Sequence, residues 1–133
     1  MQDEQRGVIR NRGFACQIKD FSGLRFGTIT PTDIDGMIEY QNRAYVYIEL
    51  KHQRAELPPG QKLAFQRQCD DMQKVKPTLF IIASHDTDGD IDVANTEVVE
   101  YRYHKRWKTP DKTTTTRQII EHFLYNVIDK GLP

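Results

Sequence analysis

The sequence predicts one α/β domain in which helices flank a mixed β-sheet. Three observations lead to this prediction: the alternation of apolar and polar residues from Asp33 to Lys51, the continuous apolar run from Leu79 to Ala83, and two stretches with helical apolar spacing. Alternation with period two indicates strands, whereas recurrence at i, i+4 and i+7 indicates amphipathic helices. The chain has 133 residues, the usual size of one domain, so we place a single domain over residues 1–133.

At the amino-terminal end the pattern predicts a helix and then a hairpin. A short first helix is indicated by three apolar residues at helical spacing: Phe14, Ile18 and Phe21. From Asp33 to Lys51 the spacing changes to alternation and the β-branched and aromatic content rises, which is typical of strands. The polar residues Gln41 to Arg43 interrupt the alternation, so we expect two antiparallel strands joined there.

A second helix and a buried strand follow the hairpin. The break at Pro58-Pro59-Gly60 precedes a helix predicted from about Gln61 to Val75, whose apolar stripe is Phe65, Cys69 and Met72. The run from Leu79 to Ala83 has no polar residue, as expected for a strand that is covered on both faces in a parallel pairing. We therefore expect a strand, helix and strand crossover that leads from the hairpin to this run.

The last third of the chain predicts two short strands and a helix. The acidic turn Asp86 to Asp90 leads into a strand at Ile91 to Val93, and Glu97 to Tyr103 is a second strand; we expect both at the edge of the sheet. A carboxy-terminal helix over about residues 113–130 is indicated by Lys130-Gly131 at its end and by a stripe of apolar residues: Ile120, Leu124, Val127 and Ile128.

Composition limits the classes of partner. The 19 basic and 19 acidic residues cancel, so a nucleic acid would have to be held by a local patch rather than by overall charge. The clearest patch surrounds Trp107 and comprises Arg102, His104, Lys105, Arg106 and Lys108, followed by Lys112 and Arg117. A solvated strand end and loop is the other interpretation. No apolar run approaches the roughly 20 residues of a membrane helix, and residues 1–6 lack the basic and apolar regions of a secretory signal. We expect a cytoplasmic protein without a membrane partner.

The predicted hairpin brings ionisable side chains onto one face. With a loop at Gln41 to Arg43, Asp35 lies directly opposite Glu49, and Lys51 follows on the same side of the strand. A two-residue loop would instead set polar residues against the apolar face of the partner strand, so burial favours the three-residue loop or a bulged equivalent. We expect the face that carries these three residues to be the polar one and the other face to pack on the core.

Two opposed carboxylates need a partner between them. Their Cβ atoms would lie about 5 Å apart, where the two charges repel unless a cation or a proton separates them. A hard divalent cation with oxygen ligands removes this repulsion, and an adjacent ammonium group can stabilise the negative charge that develops during phosphodiester hydrolysis. The alternative is that Glu49 and Lys51 form an ordinary pair on a surface hairpin.

These residues belong to a longer pattern. It consists of Pro31-Thr32-Asp33-Ile34-Asp35-Gly36, then Tyr47-Ile48-Glu49-Leu50-Lys51, then Gly60-Gln61 at the start of a helix that precedes an apolar strand. Over about residues 12–103 this pattern resembles the PD-(D/E)XK nuclease superfamily, most of all its small phage- or prophage-type members. The resemblance implies a restriction-endonuclease-like αβββαβ core, hydrolysis of DNA with Mg²⁺ or, as a substitute, Mn²⁺, and a location in the cytoplasm of a bacterial or phage-infected cell.

The resemblance also assigns roles to residues of the hairpin. It implies that three groups bind the metal ion: the carboxylates of Asp35 and Glu49 and the backbone carbonyl of Leu50. Lys51 would be the catalytic lysine. A homodimer would supply the two sites that cutting both strands of a duplex commonly needs.

The first acidic ligand has two candidates. Thr32 separates Pro31 from Asp33, so the Pro-Asp dipeptide of the motif is absent, and either Asp33 or Asp35 could be this ligand. We choose Asp35 because it faces Glu49 by register, and Asp33 would then support the site from the same face.

Two further residues are candidates near the site. Gln61 matches a helix-opening glutamine that in related nucleases supports the lysine or the substrate phosphate; an exposed first-turn residue is the other interpretation. His85 follows the strand expected to run parallel to the one that carries Glu49, and open parallel sheets bind ligands at that edge. A strand-end histidine without a role in the site is the alternative.

Two other functions remain open. A domain derived from the nuclease fold could bind nucleic acid or protein without cutting. Alternatively, Asp86, Asp88 and Asp90, with Glu97 in the twelfth position, match part of a calcium loop. Ile91 replaces the glycine that such a loop needs, and the flanking elements read as strands rather than as the two helices of an EF-hand.

Overall fold

The alternating segment forms the predicted hairpin. In a computed structural model that describes residues 20–127, strand β1 (Gly36–Tyr40) pairs antiparallel with strand β2 (Ala44–His52). Gln41 and Asn42 have positive φ, 50° and 59°, and this left-handed conformation reverses the chain between the strands. The predicted three-residue loop is therefore confirmed.

A parallel pairing joins β2 to the buried strand β3 (Thr78–His85). Helix α1 (Pro59–Gln73) connects the two strands and begins two residues before its predicted start, because proline fits the first turn of a helix. All residues of β3 except His85 are buried, as the apolar run predicts. The crossover from the hairpin to this strand is confirmed.

The outer half of the sheet contains a strand that the sequence did not indicate. β4 (Glu97–Tyr103) pairs antiparallel with β3, and β5 (Arg106–Lys108) pairs antiparallel with β4, which gives the order β1-β2-β3-β4-β5. β4 is a confirmed strand, but β5 rather than β4 lies at the edge. The turn between them is His104-Lys105, with φ of 51° and 64°, a conformation that favours glycine or asparagine. The usual turn residues are absent, so the pattern did not mark a hairpin here.

The strand predicted at Ile91 to Val93 is wrong. Val93–Asn95 forms a turn of 3-10 helix, in which the Asn95 N–H donates to the Asp92 carbonyl and the Thr96 N–H to the Val93 carbonyl, both at 3.1 Å. These local bonds satisfy backbone groups that a strand would offer to a neighbour. The acidic segment thus connects β3 to β4 and lacks the flanking helices of an EF-hand.

The carboxy-terminal helix is confirmed as α2 (Thr116–Val127). Thr116 is buried, and its hydroxyl oxygen lies 2.7 Å from that of Thr96, which fixes the helix start beside β4. The predicted end of this helix and the predicted first helix, apart from Phe21, lie outside the described residues. Within residues 20–127, no helix is long and apolar enough to cross a membrane.

The chain divides into two compact units, residues 1–33 and 34–133. The described part of the first contains a 3-10 turn at Ser22–Leu24 and a bridge between Phe26 and Ile29. The second contains the five-stranded sheet with both helices. Residues 20–127 hold two strands before α1, whereas the predicted αβββαβ order has three. The mixed α/β class is confirmed, and the single domain stays a prediction.

Helices cover both faces of the sheet. The buried cluster on the α2 side comprises Ala44, Val46, Ile48, Leu79, Ile81, Ala83, Val98, Phe123 and Leu124. The cluster on the α1 side comprises Tyr47, Phe65, Cys69, Phe80 and Ile82. The prediction that the second face of the hairpin is polar is wrong along much of its length, because β2 is an interior strand and Tyr47 packs with residues of α1. Glu49 and Lys51 lie at the end of this face.

A buried ion pair joins α1 to β4. Nε and Nη2 of Arg102 each donate a hydrogen bond of 2.8 Å to the carboxylate of Asp70. The Arg102 side chain is 7% exposed. Hydrogen bonding to Asp70 raises the pKa of Arg102, and the same bonds lower the pKa of Asp70. The guanidinium of Arg102, predicted as part of the basic patch, is therefore occupied inside the fold and does not belong to an exposed basic surface.

Replacing Asp70 with alanine should destabilise the protein by about 3 kcal/mol, because it leaves the buried guanidinium of Arg102 without its partner. Asp71→Ala is the matched control, since Asp71 is the next residue of α1 and its ion pair with Lys74 is exposed; its loss should cost less than about 1 kcal/mol. Urea unfolding followed by circular dichroism measures both. Equal losses would contradict the role of the buried pair.

Candidate functional site

Glu49 lies at the centre of the candidate site. It occupies β2 near the carboxyl end and is 4% exposed. Its oxygen Oε2 lies 3.4 Å from Nζ of Lys51 and accepts a hydrogen bond of 3.4 Å from Nε2 of Gln61. Its oxygen Oε1 is buried and has no hydrogen-bond partner among the residues that the structure describes. Buried polar atoms are nearly always paired, so Oε1 is a candidate ligand atom.

Asp35 is the acidic neighbour of Glu49. The ladder of the hairpin ends at the pair Gly36 and Ile48, which sets Asp35 opposite Glu49 in the predicted register. Oδ2 of Asp35 accepts a hydrogen bond of 2.8 Å from the N–H of Leu50. The N–H and C=O of a strand residue point toward the same neighbouring strand, so the Leu50 carbonyl also faces the side of β2 where Asp35 lies. The three groups that the resemblance assigns to the metal are thus close together.

The two carboxylates do not ionise independently. Burial raises the pKa of Glu49 from 4.5 to about 7, and the negative charge of Asp35 acts in the same direction, whereas Lys51 acts against both. Burial therefore favours the protonated form of Glu49 at a pH where an exposed glutamate is ionised. Perturbed pKa values of this kind are typical of functional sites. A metal ion that binds here would displace the proton.

Two side chains with donor groups flank Glu49. Lys51 lies two residues further along β2, so it leaves the strand on the same face, and its side chain is 21% exposed. Gln61 is the third residue of α1 and lies at the positive end of the helix dipole. The structure brings both residues to Glu49. The interpretation of Gln61 as an exposed first-turn residue is not what is found, since its amide contacts the buried carboxylate.

The donor set suits a hard divalent cation. Asp35, Glu49 and the Leu50 carbonyl offer oxygen atoms, the ligands that Mg²⁺ prefers, and Mg²⁺ commonly retains several waters beside one or two carboxylates. Within residues 20–127, no group of three or more histidine, cysteine, aspartate or glutamate side chains could hold a metal ion. A closed zinc-type site is thus absent from the described part, whereas an open magnesium site needs only the oxygens named above.

His85 lies on the opposite face of the sheet from Glu49. His85 directly follows Ser84 on β3, so the side chains of these two residues point to opposite faces of the sheet. His85 is paired in register with His52 on β2, and the centroids of the two rings lie 5.2 Å apart. Nδ1 of His85 lies 3.2 Å from the carbonyl oxygen of Thr87. The prediction did not include His52, although parallel pairing of the two strand ends could have indicated it. Asp33, the other candidate for the first acidic ligand, is exposed at the end of the first unit.

The remaining basic candidates lie on the β4–β5 hairpin. Lys105, Arg106 and Lys108 are exposed, and Lys105 occupies the strained turn. Trp107 lies between them in sequence but packs inward, with its ring 4.7 Å from Nζ of Lys62 and its Nε1 donating to Gln66 at 3.0 Å. The tryptophan anchors the hairpin on α1, while the three cations face the solvent.

Comparisons of the chain with protein-family models, with curated proteins and with solved structures found no match. The resemblance to the PD-(D/E)XK superfamily therefore depends on the residues and contacts of this chain alone. Asp35, Glu49 and Lys51 lie close enough to interact, so substitution of these residues can test that part of the resemblance.

Glu49→Gln should stabilise the protein at pH 8 and change little at pH 4. The folded-state pKa of about 7 exceeds the ordinary value of 4.5, so the folded state of the wild type loses stability as the pH rises from 4.5 to 7. A neutral glutamine removes that loss, which amounts to about 1–3 kcal/mol.

Urea unfolding at the two pH values tests this expectation. Glu56→Gln is the control, because Glu56 is exposed and its substitution should have the same small effect at both. A difference between Glu49→Gln and wild type that does not vary with pH would show that Glu49 ionises normally in the folded protein.

Proposed function

We propose that this protein is a metal-dependent nuclease that hydrolyses phosphodiester bonds of DNA. The observation that carries the proposal is the buried Glu49 carboxylate, which lies against Asp35, contacts Lys51 and has one oxygen without a hydrogen-bond partner among residues 20–127. An ordinary surface pair of glutamate and lysine would be solvated and would have no reason to bury a carboxylate beside a second one. The arrangement favours a site over the surface-hairpin interpretation.

Asp35, Glu49 and the Leu50 carbonyl are the groups that would hold Mg²⁺, with Mn²⁺ as a substitute. When bound, such an ion supplies a water of lowered pKa and polarises the phosphate. The chain contributes the rest: Gln61 and Lys51 fix the orientation of Glu49, and the Lys51 ammonium lies where it can stabilise negative charge on the reacting phosphate. Glu49 would have to be deprotonated, with its proton released to the solvent, to serve as a ligand of such an ion.

Membership of the PD-(D/E)XK superfamily is part of this proposal. A hairpin that ends in Glu49 and Lys51, a crossover helix and a parallel strand support it, in the order that the resemblance implies. The presence of two strands before α1 in the described part is a departure from the αβββαβ order. We further propose that the protein acts in the cytoplasm of a bacterial or phage-infected cell and that a homodimer would supply two sites for cutting a duplex.

The exposed cations of the β4–β5 hairpin would bind the DNA backbone. Lys105, Arg106 and Lys108 form a short basic edge in a chain whose overall charge is zero. Phosphate contacts of this kind position nucleic acid without reading its sequence. A catalytically silent module that binds nucleic acid through the same edge is the second candidate, and the two functions differ in whether Lys51 matters for cutting.

Lys51→Ala should lower the rate of DNA cleavage by at least about 100-fold, because it removes the cation that stabilises charge on the phosphate. Purified wild type and variant are incubated with single-stranded, duplex and branched DNA and with RNA, in Mg²⁺, in Mn²⁺ and in EDTA. Lys74→Ala is the control, since Lys74 directly follows α1 and is an exposed lysine in an exposed ion pair with Asp71.

Two cleavage outcomes, the second with the additional variant Asp35→Asn, and one separate binding measurement distinguish the candidates. A wild type that is inert on every substrate and in both metals would overturn the nuclease and favour the silent module. Cleavage that survives Asp35→Asn would remove Asp35 from the ligand set. Calorimetry of Mn²⁺ binding gives a readout independent of activity, and binding should be lost in Asp35→Asn but retained in Lys51→Ala.

Replacing Lys105, Arg106 and Lys108 together with alanine should weaken DNA binding and flatten its dependence on salt. Log affinity for duplex DNA falls linearly as log salt concentration rises, and each lost phosphate contact reduces the magnitude of this slope by about one. Fluorescence anisotropy with a labelled duplex at several salt concentrations measures the slope. An unchanged slope would show that this edge does not contact phosphates.

A further inference from the structure

A cavity of about 440 Å³ opens beside the candidate site on the α1 side of the sheet. Its apolar surface includes the side chains of Leu57, Ile82 and Val99. Ile82 is the β3 partner of Glu49, so the cavity is next to the carboxylate on the same face. The amino-terminal end of α1 forms another wall and also carries Gln61, which contacts Glu49. The cavity and the candidate site are therefore neighbours. The cavity is lined by Ile82, the β3 partner of Glu49, and the amino-terminal end of α1 borders both.

A bulge in β4 shapes this cavity. Ile82 is paired with Glu100, whereas the next residue, Ala83, is paired with Val98, so Val99 is an extra residue in β4. Bulges of this kind re-aim side chains and are common next to active sites. Here the bulge places both Val99 and Glu100 on the cavity wall. Regular pairing would turn one of two consecutive residues to the other face of the sheet.

The lining carries two charged side chains of each sign, Arg54 and Lys62 with Glu56 and Glu100. Nζ of Lys62 lies 2.8 Å from Oε1 of Glu100, and Nη1 of Arg54 lies 3.2 Å from Oε1 of Glu97. The rim therefore offers a phosphate no net positive charge. It does offer hydrogen-bond donors next to acceptors, above an apolar surface.

We infer that this cavity receives a nucleobase from an unpaired nucleotide next to the cleaved bond; the inference rests on the proposed nuclease activity for the position of that bond. A nucleobase has apolar faces that pack on aliphatic side chains, and each base carries a donor next to an acceptor on its pairing edge. Lys62 and Glu100 are the adjacent donor and acceptor that such an edge needs. The backbone phosphate would then lie toward Glu49 and Lys51, one strand away.

This occupant defines a substrate class. The pairing edge of a base inside a duplex is occupied by its partner, so a base can enter the cavity only if it is unpaired or has left the stack. The protein should therefore act on a strand end, a bulge, a branch or a single strand in preference to a continuous duplex. Base entry would also disturb Lys62, whose ammonium lies 4.7 Å from the ring of Trp107, the one tryptophan of the chain.

The test compares three labelled 20-base-pair DNA probes: one with a single bulged thymidine, one with an abasic residue in the bulge, and one fully paired. Anisotropy in EDTA measures binding without cleavage. The wild type should bind the thymidine bulge about tenfold more tightly than the abasic bulge. Fluorescence of Trp107 should change on adding the thymidine bulge and change less with the abasic probe.

Val99→Phe fills the cavity and should reduce the tenfold preference to none. Val75→Phe is the matched control, since Val75 is 72% exposed and lies outside the cavity lining, and it should keep the preference. If circular dichroism shows that Val99→Phe does not fold, Lys62→Met provides the second measurement, because it removes the donor and leaves the cavity open. Persistence of the full preference in the folded cavity variant would overturn the inference, as would a wild type without any preference.

Failure of the inference and failure of the nuclease proposal are distinguishable. The same thymidine-bulged probe is incubated with wild type and Mg²⁺. Base-dependent binding without cleavage would leave the cavity assignment standing and overturn the nuclease. Cleavage of thymidine and abasic probes at equal rates, with equal binding, would support the nuclease and overturn the cavity assignment.

Discussion

The parallel pairing of β2 with β3 is the constraint on which the rest of the structure depends. Parallel neighbours cannot be joined by a tight turn, so the chain must cross one face of the sheet, and α1 makes that crossing. Its amino-terminal end then lies over the carboxyl ends of both strands. The same geometry buries Glu49, brings Gln61 to it and forms one wall of the neighbouring cavity. One backbone pairing thus sets three features of the candidate site.

The burial of the Glu49 carboxylate opposes stability, and the proposed function depends on the same burial. Burial beside Asp35 raises its pKa to about 7, so the folded protein holds a group that would ionise more easily in the unfolded chain. The surrounding fold supplies the stabilisation that offsets this cost, through clusters on both faces and the buried pair of Asp70 with Arg102. Sites that need perturbed groups commonly trade stability for function in this way.

Much of the fold could be predicted because burial leaves few alternatives. The hairpin register was predictable, since a shift by one residue would turn Val46 and Ile48 out of the core. The buried run of β3 and the apolar stripe of α2 carry equally direct signals. β5 was not predictable, because the His104-Lys105 turn has neither glycine nor asparagine. The placement of Arg102 was also missed, since its partner Asp70 is 32 residues away in sequence.

The pairing of Asp35 with Glu49 in the candidate site could be predicted from the sequence, but the helix and the cavity beside this pair could not. The register alone placed Asp35 opposite Glu49. The alternation of residues does not show whether a strand face that carries tyrosines is exposed to solvent or covered by a helix, because a tyrosine such as Tyr47 is compatible with both environments. The cavity depends on a bulge at Val99, and an extra residue in a strand leaves no mark in an otherwise regular pattern.

The length of β1 restricts how this sequence can vary. Because side chains alternate along a strand, losing or gaining one residue within β1 would turn Asp35 to the face opposite Glu49, even if Tyr40 and Ala44 stayed paired. The turn at Gln41 to Arg43 has more freedom, since hairpin loops of two, three or four residues are all common and can close the same pair. The number of residues in β1, rather than the length of the turn, therefore keeps the two carboxylates on one face.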